Sequence, residues 1–185
     1  ELKMTFELDP EADYVDMSMS KDHRYLAVFS VKDGSNYVEI VDADTWATSN
    51  PIEMFPATDD LVHSWGEDGS LAATNGNGYV ALFERIEIKK DNGMTVPYSM
   101  IYAGKIPNNI DKNLFGSGLA IASKDGKMAL VQNPLSRQGK EDARSAELEC
   151  AVIDKTGLIY HGLLKSNITD KGIVPVPTEN WVNWN

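Results

Sequence analysis

Residues 120–131 read Ala-Ile-Ala-Ser-Lys-Asp-Gly-Lys-Met-Ala-Leu-Val, and this stretch predicts two β-strands joined by a tight turn. On both sides of Asp125-Gly126 the sequence alternates in the manner of strands that have one buried face. An Asp folds its carboxylate back onto backbone N–H groups, and the Gly after it adopts positive φ without strain. The stretch therefore predicts a β-hairpin in which Asp125 serves the turn.

Two further copies of this signature precede it in the chain. One runs from Met17 to Phe29 around Asp22, and the other runs from His63 to Ala73 around Asp68. From one aspartate to the next the spacing is 46 and then 57 residues, which is near the length of one blade of a β-propeller. In the first copy His23 takes the Gly position, so we expect a strained left-handed residue there. We predict turn chemistry for all three aspartates.

Each signature is followed by another apolar strand that ends in an acidic residue, and then by a turn and a fourth strand. These third strands are residues 37–42, 79–84 and 149–154. No stretch of about a dozen residues carries a helical apolar stripe. Each unit therefore predicts a four-stranded antiparallel meander, and the chain an all-β fold. Alternation predicts burial of Trp65, Leu71, Ala72, Leu82, Met128, Leu130, Val152 and Cys150.

The repeat resembles the WD40-like and TolB-like β-propeller repeats. The resemblance is carried by a Ser-x-Asp-Gly-x-x-Leu-Ala pattern, most complete in residues 66–72 and 123–129, and it covers residues 14–164. It implies that the units are propeller blades. Propellers of this style serve as binding platforms, as regulatory caps on hydrolases or as enzymes.

We predict one all-β domain over residues 1–185, with blades at 14–60, 61–116 and 117–164. Residues 1–8 alternate and are expected to form the outer strand of a preceding blade, and residues 165–185 a tail or the start of a next blade. Three blades are too few to close a ring of about four to eight. We therefore expect a fragment of a larger propeller, or a ring completed by a second copy of the chain. The alternative is a β-sandwich of meanders.

Charge and hydropathy exclude several partners. The formal net charge is −11, which repels nucleic-acid phosphates, so we predict no nucleic-acid partner. No apolar run reaches the roughly 18 residues of a membrane span. Because the chain begins with Glu1, we expect a processed product or an excised piece. With the repeat style, this favours a bacterial protein outside the cytoplasm, in the periplasm or at the cell surface.

A binding site is expected where the long loops gather. In a meander the loops 49–60, 104–116 and 132–146 lie at one end, and long loops on a rigid scaffold commonly carry binding residues. The candidate ligand-binding residues there are Asp59, Asp60, Asp111, Phe115, Arg137, Lys140 and Arg144. The aspartates could hold a hard cation, but they lack EF-hand spacing, so we predict no metal site.

We predict no catalytic residues and no cofactor, because no nucleophile elbow, phosphate loop or dinucleotide fingerprint is present. The leading hypothesis is a non-enzymatic binding or sensing module for a protein or small ligand. The alternatives are part of a propeller enzyme, a propeller that regulates a hydrolase, and a structural spacer repeat.

Overall fold

The computed structural model describes residues 9–58, 61–75, 77–86, 96–106, 120–131, 145–169 and 172–176. Every regular element among these residues is a β-strand, and the described part of the chain contains no helix. All strand pairs are antiparallel. The all-β prediction is therefore confirmed.

The strands form three sheets. Sheet 1 consists of β1 (Asp13–Met19), β2 (Tyr25–Lys32), β3 (Ser35–Asp42) and β4 (Ile52–Pro56). Sheet 2 consists of β5 (Leu61–Trp65), β6 (Leu71–Asn75), β7 (Tyr79–Arg85) and β8 (Tyr98–Lys105). Sheet 3 consists of β9 (Ala120–Lys124), β10 (Lys127–Val131), β11 (Ser145–Asp154), β12 (Gly157–Thr169) and β13 (Gly172–Val176). Each sheet is a meander, because its order in space follows the chain.

Strand β4 lies inside residues 49–60, which the sequence predicts as one long loop. That prediction is wrong for Ile52–Pro56. The pairing of β3 with β4 shifts register between Asn36 and Tyr37, so the neighbours Met54 and Phe55 are both buried. A bulge of this kind breaks the alternation by which a strand is recognised in a sequence.

Sheet 2 lies between the other two sheets. Residues at odd positions, such as Leu71 and Phe83, pack against sheet 1, and the even-numbered Ala72 and Leu82 pack against sheet 3. All five residues of β6 are buried for this reason. The residues predicted to be buried, including Trp65, Met128, Leu130, Val152 and Cys150, are each at most 7% exposed.

The Asp turns also connect neighbouring sheets. Asp68 accepts hydrogen bonds from the backbone and hydroxyl of Ser70, and its second oxygen accepts one from the backbone N–H of Asp125 at 2.6 Å. His23 has a φ of 59°, as its place in the first turn predicts. Asp68 therefore stabilises its own turn and links sheet 2 to sheet 3, and Asp22 accepts from the hydroxyl of Ser20 and the backbone N–H of Arg24 in the first turn.

Residues 165–169 belong to β12, and residues 172–176 form β13 in the same sheet. The expected outer strand at residues 1–8 lies outside the described residues.

Candidate functional site

The binding residues predicted from the sequence all lie outside the described residues. They are Asp59, Asp60, Asp111, Phe115, Arg137, Lys140 and Arg144. The described part instead presents two polar arrangements on opposite faces of sheet 1. One lies between sheets 1 and 2, and the other lines a cavity on the face that points away from sheet 2.

A bulge in β1 decides which side chains reach each face. The pairing of β1 with β2 shifts between Tyr14 and Asp16, so Tyr14 lies opposite Ser30 and Asp16 lies opposite Phe29. Phe29 belongs to the core between sheets 1 and 2. Asp16 and Ser18 therefore share the face that meets sheet 2, and Tyr14 lies on the other face.

His63 of β5 connects to both of these β1 residues. Its Nε2 lies 2.9 Å from Oδ2 of Asp16, and its Nδ1 lies 3.2 Å from Oγ of Ser18. The imidazole stacks on Phe29 with ring centroids 4.4 Å apart. Trp65 Nε1 donates to Oγ of Ser18 at 3.0 Å. These contacts fasten β1 of sheet 1 to β5 of sheet 2.

The carboxylate of Asp16 only accepts, so Nε2 of His63 carries the proton between them, and Oγ of Ser18 also accepts from Nε1 of Trp65. The hydrogen bond to His63 holds the pKa of Asp16 below its ordinary value. The group has the residue types of a hydrolytic triad, but it is built into an interface between sheets.

The second arrangement is a cavity of about 220 Å³ on the far face of sheet 1. It lies near the β2–β3 turn and is lined by Asp9, Ala12, Ser30, Lys32, Asp33, Tyr37, Glu39 and Pro51. Strands β2 and β3 supply Ser30, Tyr37 and Glu39, which alternation places on one face. Ser30 lies opposite Tyr37 and Val28 lies opposite Glu39, so Ser30 and Glu39 are diagonal neighbours.

Glu39 and Ser30 are buried polar residues, only 6% and 3% exposed. Neither side chain makes a hydrogen bond or an ion pair within the described part of the chain. Burial, and then the negative charge of Asp9, raise the pKa of Glu39 above its ordinary value. The fully buried side-chain atoms that lack a hydrogen-bond partner belong to Asn36 and Thr58 among the described residues, so the oxygens of Glu39 and Ser30 are open to the cavity that both residues line.

The ammonium of Lys32 pairs with two carboxylates other than Glu39. Its Nζ lies 2.8 Å from Oδ2 of Asp9 and 3.3 Å from Oε2 of Glu11. The hydrogen bond from Lys32 lowers the pKa of Asp9, and the same bond raises the pKa of Lys32. The described lining residues of the cavity include three carboxylates and one ammonium, so this part of the lining carries a net negative charge.

Among the described residues, no group of three or more His, Cys, Asp or Glu side chains has the arrangement of a metal site. Within those same residues, no helix has the length and apolar character needed to cross a membrane. Comparisons of the chain with protein-family models, with curated proteins and with solved structures each find no match.

Sequence reasoning missed both arrangements. Glu39 sits in the run Tyr37-Val38-Glu39-Ile40-Val41, where alternation predicts an exposed charge opposite the buried face. One sequence signal for the burial of Glu39 was available, because Tyr37 and Val41 flank Glu39 on the same face of β3 and are not charged. For His63, no signal in the sequence pairs it with Asp16, which lies on another sheet.

Proposed function

We propose that the chain is a non-enzymatic binding module of the β-propeller type, with a small-ligand site in the cavity on the far face of sheet 1. The observation that carries this proposal is the pair of buried, unpartnered side chains, Glu39 and Ser30, on the wall of one cavity. A ligand that offers hydrogen-bond donors would satisfy both.

The free energy of burial supports a binding role over a purely structural one. A carboxylate that is largely shielded from water and has no partner among the described residues lowers the stability of the fold. Departures of this kind from the rules of a stable core are expected at functional sites.

Propeller architecture is supported by the way the sheets stack. Three meanders follow one another in chain order, and the middle one is covered on both faces. The described large apolar side chains that remain exposed lie outside sheet 2, at Tyr14, Met17, Met19, Trp46 and Ile159. Further sheets, from another chain or from a second copy, would cover those on the terminal sheets.

Light scattering on the 20.4 kDa chain tests this architecture. We expect a mass of at least two chains, because the packing of further sheets buries apolar surface, and each Å² buried favours association by about 25 cal/mol. Met17→Lys combined with Met19→Lys should shift the mass toward one chain. A stable monomer at high concentration would favour the sandwich alternative.

A hydrolytic enzyme is the second candidate function, because Ser18, His63 and Asp16 form a hydrogen-bonded series. Against it, Ser18 Oγ is held by the indole of Trp65, and the imidazole is stacked on Phe29. Treatment with a fluorophosphonate probe separates the two functions. We expect no labelling, and labelling that is lost in Ser18→Ala would establish the enzyme instead.

The binding function itself is tested by occluding the cavity. Ala12 lines the cavity without contributing a charge, and Ala12→Leu narrows it. The thermal unfolding midpoint of each protein is measured with butylammonium chloride, 1-butanol and sodium butyrate, three probes of similar shape and different charge. At least one probe should stabilise the wild-type chain and fail to stabilise Ala12→Leu. If no probe distinguishes the two proteins, the cavity is not a binding site.

A further inference from the structure

The ligand class follows from the cavity's charge, size and unpartnered groups. A single ammonium, that of Lys32, is set against the carboxylates of Asp9, Asp33 and Glu39 among the described lining residues. Lys32 is occupied by Asp9 and by Glu11. An anion would therefore meet net negative charge, and a cation would meet a carboxylate that has no other partner.

A hard metal ion does not fit this arrangement. Calcium takes about six to eight oxygen ligands, and magnesium requires an octahedral set. Glu39 is the one lining carboxylate that is both buried and without a partner, and no metal-type cluster occurs among the described residues. A primary ammonium needs fewer ligands, because it has three N–H groups and each needs one acceptor.

The cavity, of about 220 Å³, has room for a small molecule. Such a space accommodates a short alkyl chain that carries one amino group. Ala12, Pro51 and the ring of Tyr37 provide apolar wall for the chain, and Ser30 and Glu39 provide oxygen acceptors.

We propose that the cavity binds a small primary ammonium compound, whose N–H groups donate to the Glu39 carboxylate and to Oγ of Ser30. This inference rests on the proposed binding function and specifies its ligand. The ammonium supplies the counter-charge that Glu39 lacks, and its alkyl chain displaces water from the apolar wall. A charge-assisted hydrogen bond of this kind is roughly twice as strong as a neutral one.

The test uses butylammonium chloride on the full chain, with sodium chloride at equal ionic strength as the reference. Binding is followed by the shift in thermal midpoint and by chemical-shift changes at the amides of β2 and β3. Glu39→Gln keeps the shape of the side chain and removes its charge, and should weaken binding at least about tenfold. Ser30→Ala should weaken it less, because a neutral acceptor is lost.

Glu11→Gln is the matched control. Glu11 pairs with Lys32, as Asp9 does, but the side chain of Glu11 is 79% exposed and does not line the cavity. Its binding of butylammonium should stay within about twofold of wild type, since exposed charges interact weakly. An equal loss in Glu11→Gln and Glu39→Gln would mean that only the overall negative charge attracts the cation, and would overturn the proposal.

The outcomes separate this inference from the function beneath it. If 1-butanol or butyrate stabilises wild type in a manner that Ala12→Leu abolishes, and butylammonium does not, the ligand class is wrong and the binding function stands. If none of the three probes binds, both fail. Binding of butylammonium that is lost in Glu39→Gln supports both.

Discussion

The two interfaces of sheet 2 are built from different side chains. Toward sheet 1 the core contains six aromatic side chains, those of Tyr25, Phe29, Phe55, Trp65, Phe83 and Tyr98. Toward sheet 3 it is aliphatic, with Val80, Leu82, Ile106, Met128, Leu130 and Ile153. Similar meanders therefore stack in two ways within one chain.

The aromatic interface fixes orientation through directional contacts. Tyr98 packs edge-on against Tyr25 and Trp65, with ring centroids 5.0 Å and 5.6 Å away. Its hydroxyl donates to the carbonyl of Gly69 at 2.9 Å, and the indole of Trp65 donates to Ser18. The Tyr25–Tyr98 contact and the Trp65–Ser18 hydrogen bond cross between the sheets and have preferred geometries, so they favour one relative position of the two sheets.

The aliphatic interface fixes position through close approach of the backbone. A Cβ on Gly66 would lie 2.2 Å from the carbonyl oxygen of Ser123 in sheet 3. Ser123 Oγ also donates to the carbonyl of Ser70 at 3.2 Å. The buried aliphatic side chains carry no directional information, so hydrogen bonds and close backbone approach at the turns supply it. Orientation therefore comes from aromatic rings on one side of sheet 2 and from contacts between turns on the other.

The largest effect is expected from truncating the two neighbours in β7 that face opposite interfaces. Phe83 and Leu82 are both fully buried. Phe83→Ala should lower the free energy of unfolding by about 3–5 kcal/mol and Leu82→Ala by about 2–5 kcal/mol, measured by urea denaturation. Hydrogen exchange should accelerate in β2 and β3 for the first variant, and in β10 and β11 for the second. The same exchange pattern in both would mean that the interfaces are not independent.

A smaller effect is expected from Gly66→Ala. The added methyl group forces sheets 2 and 3 apart at their turns, which should cost about 1–3 kcal/mol, as overpacking does. Exchange at the amides of residues 120–131 should rise. Gly34→Ala is the control, because Gly34 has a φ of 79° but no atom within 4 Å of an added Cβ. It should strain the β2–β3 turn and leave sheet 3 unchanged, so equal exchange in the two variants would remove backbone contact as the explanation.

Glu39→Gln tests the face of sheet 1 that belongs to neither interface. The pKa of Glu39 is raised in the folded state. Below the ordinary pKa of a Glu side chain, Glu39 is therefore protonated in both the folded and the unfolded chain and does not affect stability. As pH rises through the folded pKa the unfolded chain releases the proton first, and stability falls by about 1.4 kcal/mol per pKa unit between the two states. Glu39→Gln should abolish this fall and be the more stable protein at neutral pH. The exposed Glu53→Gln should retain it, and a fall that persists in Glu39→Gln would assign it to another group.

The smallest effect is expected from Asp16→Asn. Asp16 is half exposed, so its pair with His63 should contribute only about 0.2–1 kcal/mol. The pKa of Asp16 is lowered in the folded state, so this contribution is present above the ordinary Asp value and is lost as pH falls through the folded pKa. Asp13→Asn, an exposed change on the same strand, is the control for unfolding at acid pH. A loss of several kcal/mol at neutral pH would make the polar group the main determinant of the aromatic interface.

The sequence by itself determined the local elements. The Asp turns, the hairpins around them and the absence of a helix in the described residues follow from chemistry between near neighbours, such as the carboxylate of Asp68 on the backbone of Ser70. The sequence also predicted that Leu71, Ala72, Leu82, Met128 and Leu130 are buried. It did not predict that all five residues of β6 are buried, because alternation assigns one buried face and sheet 2 has two. The sequence did not predict strand β4, because its bulge places the neighbours Met54 and Phe55 together in the core and breaks the alternation.

Only the tertiary structure decided what those elements bring together. Alternation states which residues share a face, but it does not state what covers that face. It could not show that His63 meets Asp16 across 47 positions of sequence, or that Glu39 is enclosed beside a cavity instead of exposed. A one-residue bulge in β1 reverses the faces of the residues on either side of it and so places Asp16 against His63. Glu39 lies on the other face of sheet 1, and its burial there is set by tertiary contacts that no local pattern encodes.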